Sequence, residues 1–338
     1  MPRIFDFGGR DVERAQTVAG LRALKSASGQ AAQVTAETAD EAAAAEVAGV
    51  EMVVCRAANV ARVREGSQRV FVTAALGFAE AVTADEILRT AFAAITGGAD
   101  AVLTSRGAET VRVLAHEQIP VVGHLGFVPR KSTWVGGVRA MGKSATEALE
   151  LWDRFQRLED AGALAECELI AAPVTAEIHR RTSLVTISLG SGADADAVFL
   201  FTSDICGESR SRPPRHSRSW GNLEAKHQAV RDERVQALTR FRAEVDAKSF
   251  PASAECAGAP HAEVEAFPRQ IGRRRLNDAS RVSAGNPSTS GCRPSHPRVQ
   301  SERLMWNSSA SLRRVCRYKS CIPIYSVLYR TRGRSAFS

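Results

Sequence analysis

The sequence predicts an α/β protein built as a (β/α)8 TIM barrel, and three observations carry that prediction. Eight short β-branched or apolar runs recur, at Gln33–Ala36, Glu51–Cys55, Arg69–Ala74, Ala99–Leu103, Ile119–Gly123, Leu164–Glu168, Leu184–Ser188 and Ala197–Phe201. Segments with apolar residues at helical spacing separate most of them, which implies parallel pairing through right-handed crossovers. All eight units fit into about 170 residues, the scale of a compact barrel. An open doubly wound sheet is the alternative architecture.

The elements follow in order. The first strand leads into Thr38–Ala48, which is acidic and alanine-rich. After the second strand, Asn59–Gly66 offers only two helical turns, so that β/α unit is shortened. Thr83–Thr96, Ala108–His116, Ser144–Asp160 and Val174–Thr182 follow the next four strands. Past the eighth strand comes a polar loop, ESRSRPPRHSRSW, and then a charged helix at Leu223–Val245. Residues 1–30 are expected to form a helical extension, 31–252 the barrel with its C-terminal helix, and 253–338 a linker and a basic tail. That tail is expected to be largely disordered, because Pro, Gly and Ser accumulate from Phe250 and periodicity is lost from Gly272.

Charge is distributed unevenly. The overall +8 includes a local +12 over Ile271–Ser338, so the first 270 residues carry −4. Nucleic-acid binding normally needs basic residues gathered on a folded face, and this distribution argues against it. A tail-mediated nucleic-acid or anionic-surface binder would show strong salt dependence, lost with the tail. The seven cysteines are odd in number, and Cys55, Cys167 and Cys206 fall in apolar runs. They read as reduced thiols of a cytoplasmic protein. No signal-type leader and no membrane span is expected.

In a barrel, chemistry sits at the carboxyl ends of the strands. That rule selects Cys55-Arg56-Ala57, Ala74-Ala75, Thr104-Ser105-Arg106, Gly123-His124, Glu166 with Glu168, Gly190-Ser191-Gly192 and Thr202-Ser203-Asp204. Glu168 can act as general acid or base, and His124 can bond a substrate oxygen or a carboxylate. Gly190–Gly192 can present backbone N–H groups to an anion. Asp194 and Asp196 read as a solvated loop, with metal binding the alternative, and PPRHSRSW as a polar connection.

Several motifs in sequence order resemble one family. GHLGFVPRKSTWVGG resembles the GH-x-G-x-x-P segment and Gly pair of the ketopantoate hydroxymethyltransferases, which belong to the phosphoenolpyruvate-mutase/isocitrate-lyase barrel superfamily. ECELIAAPVTAEIHRRT resembles that family's LECVPAELAKEIT segment, and ISLGSGADADAVFLFTSDICGE its glycine-rich stretch before the last strand. The likeness spans about Val34–Pro251. It implies one-carbon transfer from 5,10-methylenetetrahydrofolate to 3-methyl-2-oxobutanoate, a step of pantothenate synthesis, by a homo-oligomer. It also implies a magnesium ion chelating the keto acid, with Glu168 and His124 as catalytic residues.

The chain departs from the pattern where the metal would bind. The family's two metal-binding aspartates fall on Ala57 and Ala75, its substrate lysine on Leu103 and its metal-linked glutamate on Ser105. Alanine offers magnesium no ligand, so no metal is expected at that place. Arg56 and Arg106 flank the losses and are expected, with Ser105, to bind the oxo-acid carboxylate through their guanidinium forks. Two functions follow: a divergent hydroxymethyltransferase, or a catalytically degenerate relative serving as a binding or assembly protein.

Overall fold

The computed structural model describes residues 2–27, 29–161 and 164–283; the expected disordered tail beyond 283 lies outside them. The chain divides at His227 into a first unit and a second that begins at Gln228.

The first unit opens with an antiparallel hairpin, β1 (Arg3–Phe5) and β2 (Asp11–Glu13), followed by helix α1 (Val18–Ala27). The N-terminal extension is thus helical only in its second half. Asp6 closes the hairpin turn by accepting from the backbone and side chain of Arg10, with Gly9 at φ +75° between them. Strands of three residues are too short to leave a periodic signal.

The barrel runs through β3 (Ala31–Thr35), α2 (Ala39–Val47), β4 (Met52–Arg56), α3 (Val60–Gly66), β5 (Phe71–Ala75) and α4 (Ala84–Thr96). It continues with β6 (Ala101–Thr104), α5 (Ala108–His116), β7 (Val121–Gly126), α6 (Ala145–Asp160) and β8 (Leu164–Glu168). Helix α7 (Ala172–Arg181), β9 (Thr186–Leu189), β10 (Ala197–Leu200) and the short α8 (Thr202–Ile205) complete it. All eight pairings are parallel and β10 closes onto β3, which excludes the open sheet.

Local chemistry sets these boundaries. Thr38 and Thr83 each open a helix with a reciprocal capping box, using Glu41 and Glu86, and Ser144 caps α6. The shortened unit is α3, seven residues long, and it packs closely because Gly66 faces the Ala39 carbonyl, where a Cβ would collide. Helix α8 is shorter still, ending at Ile205, with Gly207 at φ +66° two residues on.

Two apolar layers result. Inward residues such as Met52, Phe71, Leu103, Val122, Leu164 and Ile187 fill the barrel, and Leu21 of α1 joins them from the amino end. Outward residues such as Val53, Val72, Val102 and Cys167 pack under the helices. At the amino end the hairpin is tied in by charge. Asp100 takes Arg14 Nε at 2.8 Å and an Arg64 guanidinium nitrogen at 2.6 Å, and also accepts from the Val72 N–H. Arg14 is 1% exposed. Burying that charge is tolerable only because it is paired and hydrogen-bonded.

Helix α9 (Leu223–Asp246) continues into the second unit, where Phe241 meets Phe250 edge-on at 5.4 Å between ring centres. Helix α10 (His261–Ser283) begins in the segment expected to be linker and runs past Gly272, into the first part of the tail expected to be disordered. No helix among the described residues is long and apolar enough to cross a membrane.

Candidate active site at the carboxyl end of the barrel

Strands β7 and β8 build the centre of the site. Period-two alternation turns Val122 and His124 inward from β7, and Leu164, Glu166 and Glu168 inward from β8. The register sets His124 opposite Glu166 and Gly126 opposite Glu168. The glycines of GHLG are required by packing. A Cβ on Gly123 would lie 2.6 Å from Leu158 Cδ1 of α6, and Gly126 adopts φ +87° against the Glu168 carbonyl.

His124 Nε2 lies 3.0 Å from Glu168 Oε2 and 3.9 Å from Glu166 Oε1. The three side chains are buried. The shorter approach is off the direction a hydrogen bond needs, so neither ring nitrogen nor Glu168 Oε2 has a hydrogen-bond partner. Burial pushes the Glu166 carboxyl up to about 7, with Glu168 adding to the rise and His124 opposing it. Burial alone would lower the His124 imidazole, but the approach of Glu168 and the charges of Glu166 and Glu168 raise it above its ordinary value. Burial thus displaces Glu166 upward and the neighbouring carboxylates displace His124 upward, the kind of environment that tunes groups for acid–base chemistry.

Cations stand around this centre. Lys131, on the 3-10 turn Pro129–Val135 that follows β7, donates to the Ser105 carbonyl at 2.7 Å. Burial lowers its pKa, as do the charges of Arg154 and Arg106. Its own charge reaches His124. Arg106 donates to the carbonyls of Phe78 and Ala81 and stacks 5.5 Å from the Phe78 ring centre, so its fork holds the loop after β5. Arg56 lies at the end of β4 with Nε 3.8 Å from Glu37. Ala57, Ala75 and Ser105 line the ends of β4, β5 and β6, and Leu103 is buried in the barrel.

Other expected positions are used structurally. Ser191 donates to the Cys167 carbonyl and accepts from Ile170 N–H, while its own N–H goes to Ser188 Oγ. Asp196 lies at the amino end of β10, 1% exposed rather than in a solvated loop, accepting from Thr186 and Lys25. Burial pushes the thiols of Cys55 and Cys167 up to about 12, leaving them unreactive. Half-buried His216, from the PPRHSRSW loop, packs on Gly190 and interacts with Glu168 and Asp204. Lys131 and His216 went unassigned in the sequence, because tertiary packing alone brings them here. Glu166 carried a signal, sharing its face with Glu168 two residues on.

Comparison with known proteins bears on this geometry. Residues 56–253 match the family model described as ketopantoate hydroxymethyltransferase. A protein of Bradyrhizobium diazoefficiens named 3-methyl-2-oxobutanoate hydroxymethyltransferase 2 is 34% identical over 179 residues, 52% of this chain and 59% of that protein. The chain thus spans about three-fifths of that relative's length. A Hyperthermus butylicus protein named 3-methyl-2-oxobutanoate hydroxymethyltransferase is 33% identical over 219 residues, 63% of this chain and 73% of that protein. Among solved structures, 2,3-dimethylmalate lyase, titled a PEP mutase/isocitrate lyase superfamily member, aligns over 68% of this chain and 88% of its own. Its identity is 13% and its TM-score 0.43.

Proposed function

This chain belongs to the ketopantoate hydroxymethyltransferase family, and on that premise we propose that it transfers a one-carbon unit from 5,10-methylenetetrahydrofolate to a 2-oxo acid. The substrate proposed first is 3-methyl-2-oxobutanoate, and the working form is a homo-oligomer. The observation that carries the reading is the buried approach of His124 to Glu168, 3.0 Å apart at the mouth of the barrel. Glu168 is the base that removes the proton from the carbon beside the keto group. His124 orients the keto acid and supports the charge that moves onto oxygen as the enolate forms. Arg56, Arg106 and Ser105 line the rim that receives the carboxylate, and Lys131 adds a third cation there.

Magnesium at the family's usual place does not fit these residues. Ala57 and Ala75 offer no carboxylate, and the Ser105 carbonyl accepts from Lys131. No step is therefore routed through that ion.

The same losses support a second reading, a catalytically degenerate relative that binds a 2-oxo acid or serves in assembly. Purified full-length protein assayed with 3-methyl-2-oxobutanoate and methylenetetrahydrofolate, with and without magnesium, separates the two. Turnover without added metal supports the transferase as described, whereas turnover that requires magnesium refutes the reading of the lost ligands. Absence of both turnover and keto-acid binding puts the assembly role in front.

A further inference from the structure

We propose that His124, Glu166 and Glu168 form a binding site for one divalent transition-metal ion of the zinc or manganese class. This site is distinct from the positions of Ala57, Ala75 and Ser105, and because an ion there engages Glu168 and His124, the metal-loaded chain is a state separate from the one in which Glu168 is the free base.

Geometry supports it first. Each side chain offers one ligand atom, and these atoms all lie within 4.8 Å of one another, with Nε2 facing both carboxylates. Metal–ligand bonds of about 2.0–2.2 Å place neighbouring ligand atoms about 3.0–3.5 Å apart. One separation, 3.0 Å, already meets that, and 3.9 Å needs only a small carboxylate rotation. The donors come from two hydrogen-bonded strands in a closed barrel, so the spacing is held by rigid elements.

Satisfaction of polar groups is the second, independent support. Two carboxylates and an imidazole are buried together, yet both His124 nitrogens and Glu168 Oε2 lack hydrogen-bond partners. Buried polar groups are normally paired, and each exception needs a cause. Buried carboxylates side by side also need positive charge nearby. Lys131 supplies some, but its ammonium is engaged with the Ser105 carbonyl. An ion between the three donors would satisfy Nε2 and both acids at once.

Donor chemistry then selects the metal. One imidazole with two carboxylates suits zinc, manganese or ferrous iron, whereas magnesium prefers an all-oxygen octahedron. Three protein ligands leave positions open toward the carboxyl face for water or the oxygens of an oxo acid.

The test uses the full chain, freed of metal by a chelator and titrated with Co2+ as a visible probe. One Co2+ per chain is expected, with a d–d absorption band that Zn2+ abolishes and excess Mg2+ does not. Glu166→Gln and His124→Gln, each checked for folding by circular dichroism, should weaken binding at least about tenfold. Absence of the band at saturating Co2+, or unchanged affinity in both variants, overturns the site. Should the variants fail to fold, proton NMR of the wild-type chain decides. Bound Co2+ must shift a buried imidazole, and shifts confined to exposed histidines overturn the proposal. Binding is read without keto acid or folate, so its failure and that of the transfer reaction are separable.

Discussion

Gly126 of β7 and Glu168 of β8 are direct register partners, and a Cβ on the glycine would run into the glutamate's carbonyl oxygen. The base candidate is therefore positioned by a residue with no side chain. Gly126→Ala should combine left-handed strain at φ +87° with that collision. The expected cost is about 1–3 kcal/mol of stability. Turnover should fall more than the loss of folded protein explains, measured by denaturant titration alongside the coupled assay.

Glu168→Gln keeps the shape and removes the base. Turnover with 3-methyl-2-oxobutanoate should drop by about 10²–10⁴. Deuterium exchange from solvent into the carbon beside the keto group should fall with it. Exchange that persists at the wild-type rate would move the base elsewhere.

Arg56 and Arg106 stand at the ends of neighbouring loops of the carboxyl face. Arg106 holds the loop after β5 through two carbonyls, and Arg56 Nε lies 3.8 Å from Glu37. If they also receive the oxo-acid carboxylate, the double variant Arg56→Gln, Arg106→Gln should weaken keto-acid binding at least tenfold, about 1.4 kcal/mol. Calorimetry showing an unchanged dissociation constant removes both from the site.

Asp100 is the shared partner of two buried arginines. Asp100→Ala leaves buried Arg64 without its counter-charge and Arg14 with Asp6 alone, at 3.8 Å, at a cost of about 3–5 kcal/mol. The midpoint of chemical denaturation should fall accordingly. Replacing exposed Glu109, which pairs with Arg112 on the surface, should change it little.

His216 gives the fold an acid-sensitive latch. Burial lowers its pKa below the ordinary 6.5, more than Glu168 and Asp204 raise it. A depressed histidine pKa means that the folded state prefers the neutral ring. Its contribution is present above pH 6.5 and is lost as pH falls through the lower folded value. Thermal midpoints measured across about pH 5–8 should decline on the acid side for wild type and decline less for His216→Asn. Equal slopes would show that the ring is not the titrating group.

The barrel was readable because each strand is a short apolar run and three of its helices carry a start signal, at Thr38, Thr83 and Ser144. His124 and Glu168 were readable because strand ends are where a barrel keeps its chemistry, and the family motifs fall on the same residues. The N-terminal hairpin was not, since three-residue strands hold no period. Lys131 was hidden for a different reason: its approach to the Ser105 carbonyl joins two strand ends 26 residues apart. Asp196 misled because its loop composition is polar, while Thr186 and Lys25 draw it inside.

The knot of Arg14 on Asp100 also orders events in time. Arg14 also meets Asp6 and the Gln68 carbonyl, but its bond to Asp100 joins residues 86 positions apart and closes only with β6 in place. Full burial of the Arg14 cation is favourable only once that counter-charge is present. Docking of the hairpin on the amino end of the barrel therefore belongs with the long-range contacts of this fold, which close after local structure has formed.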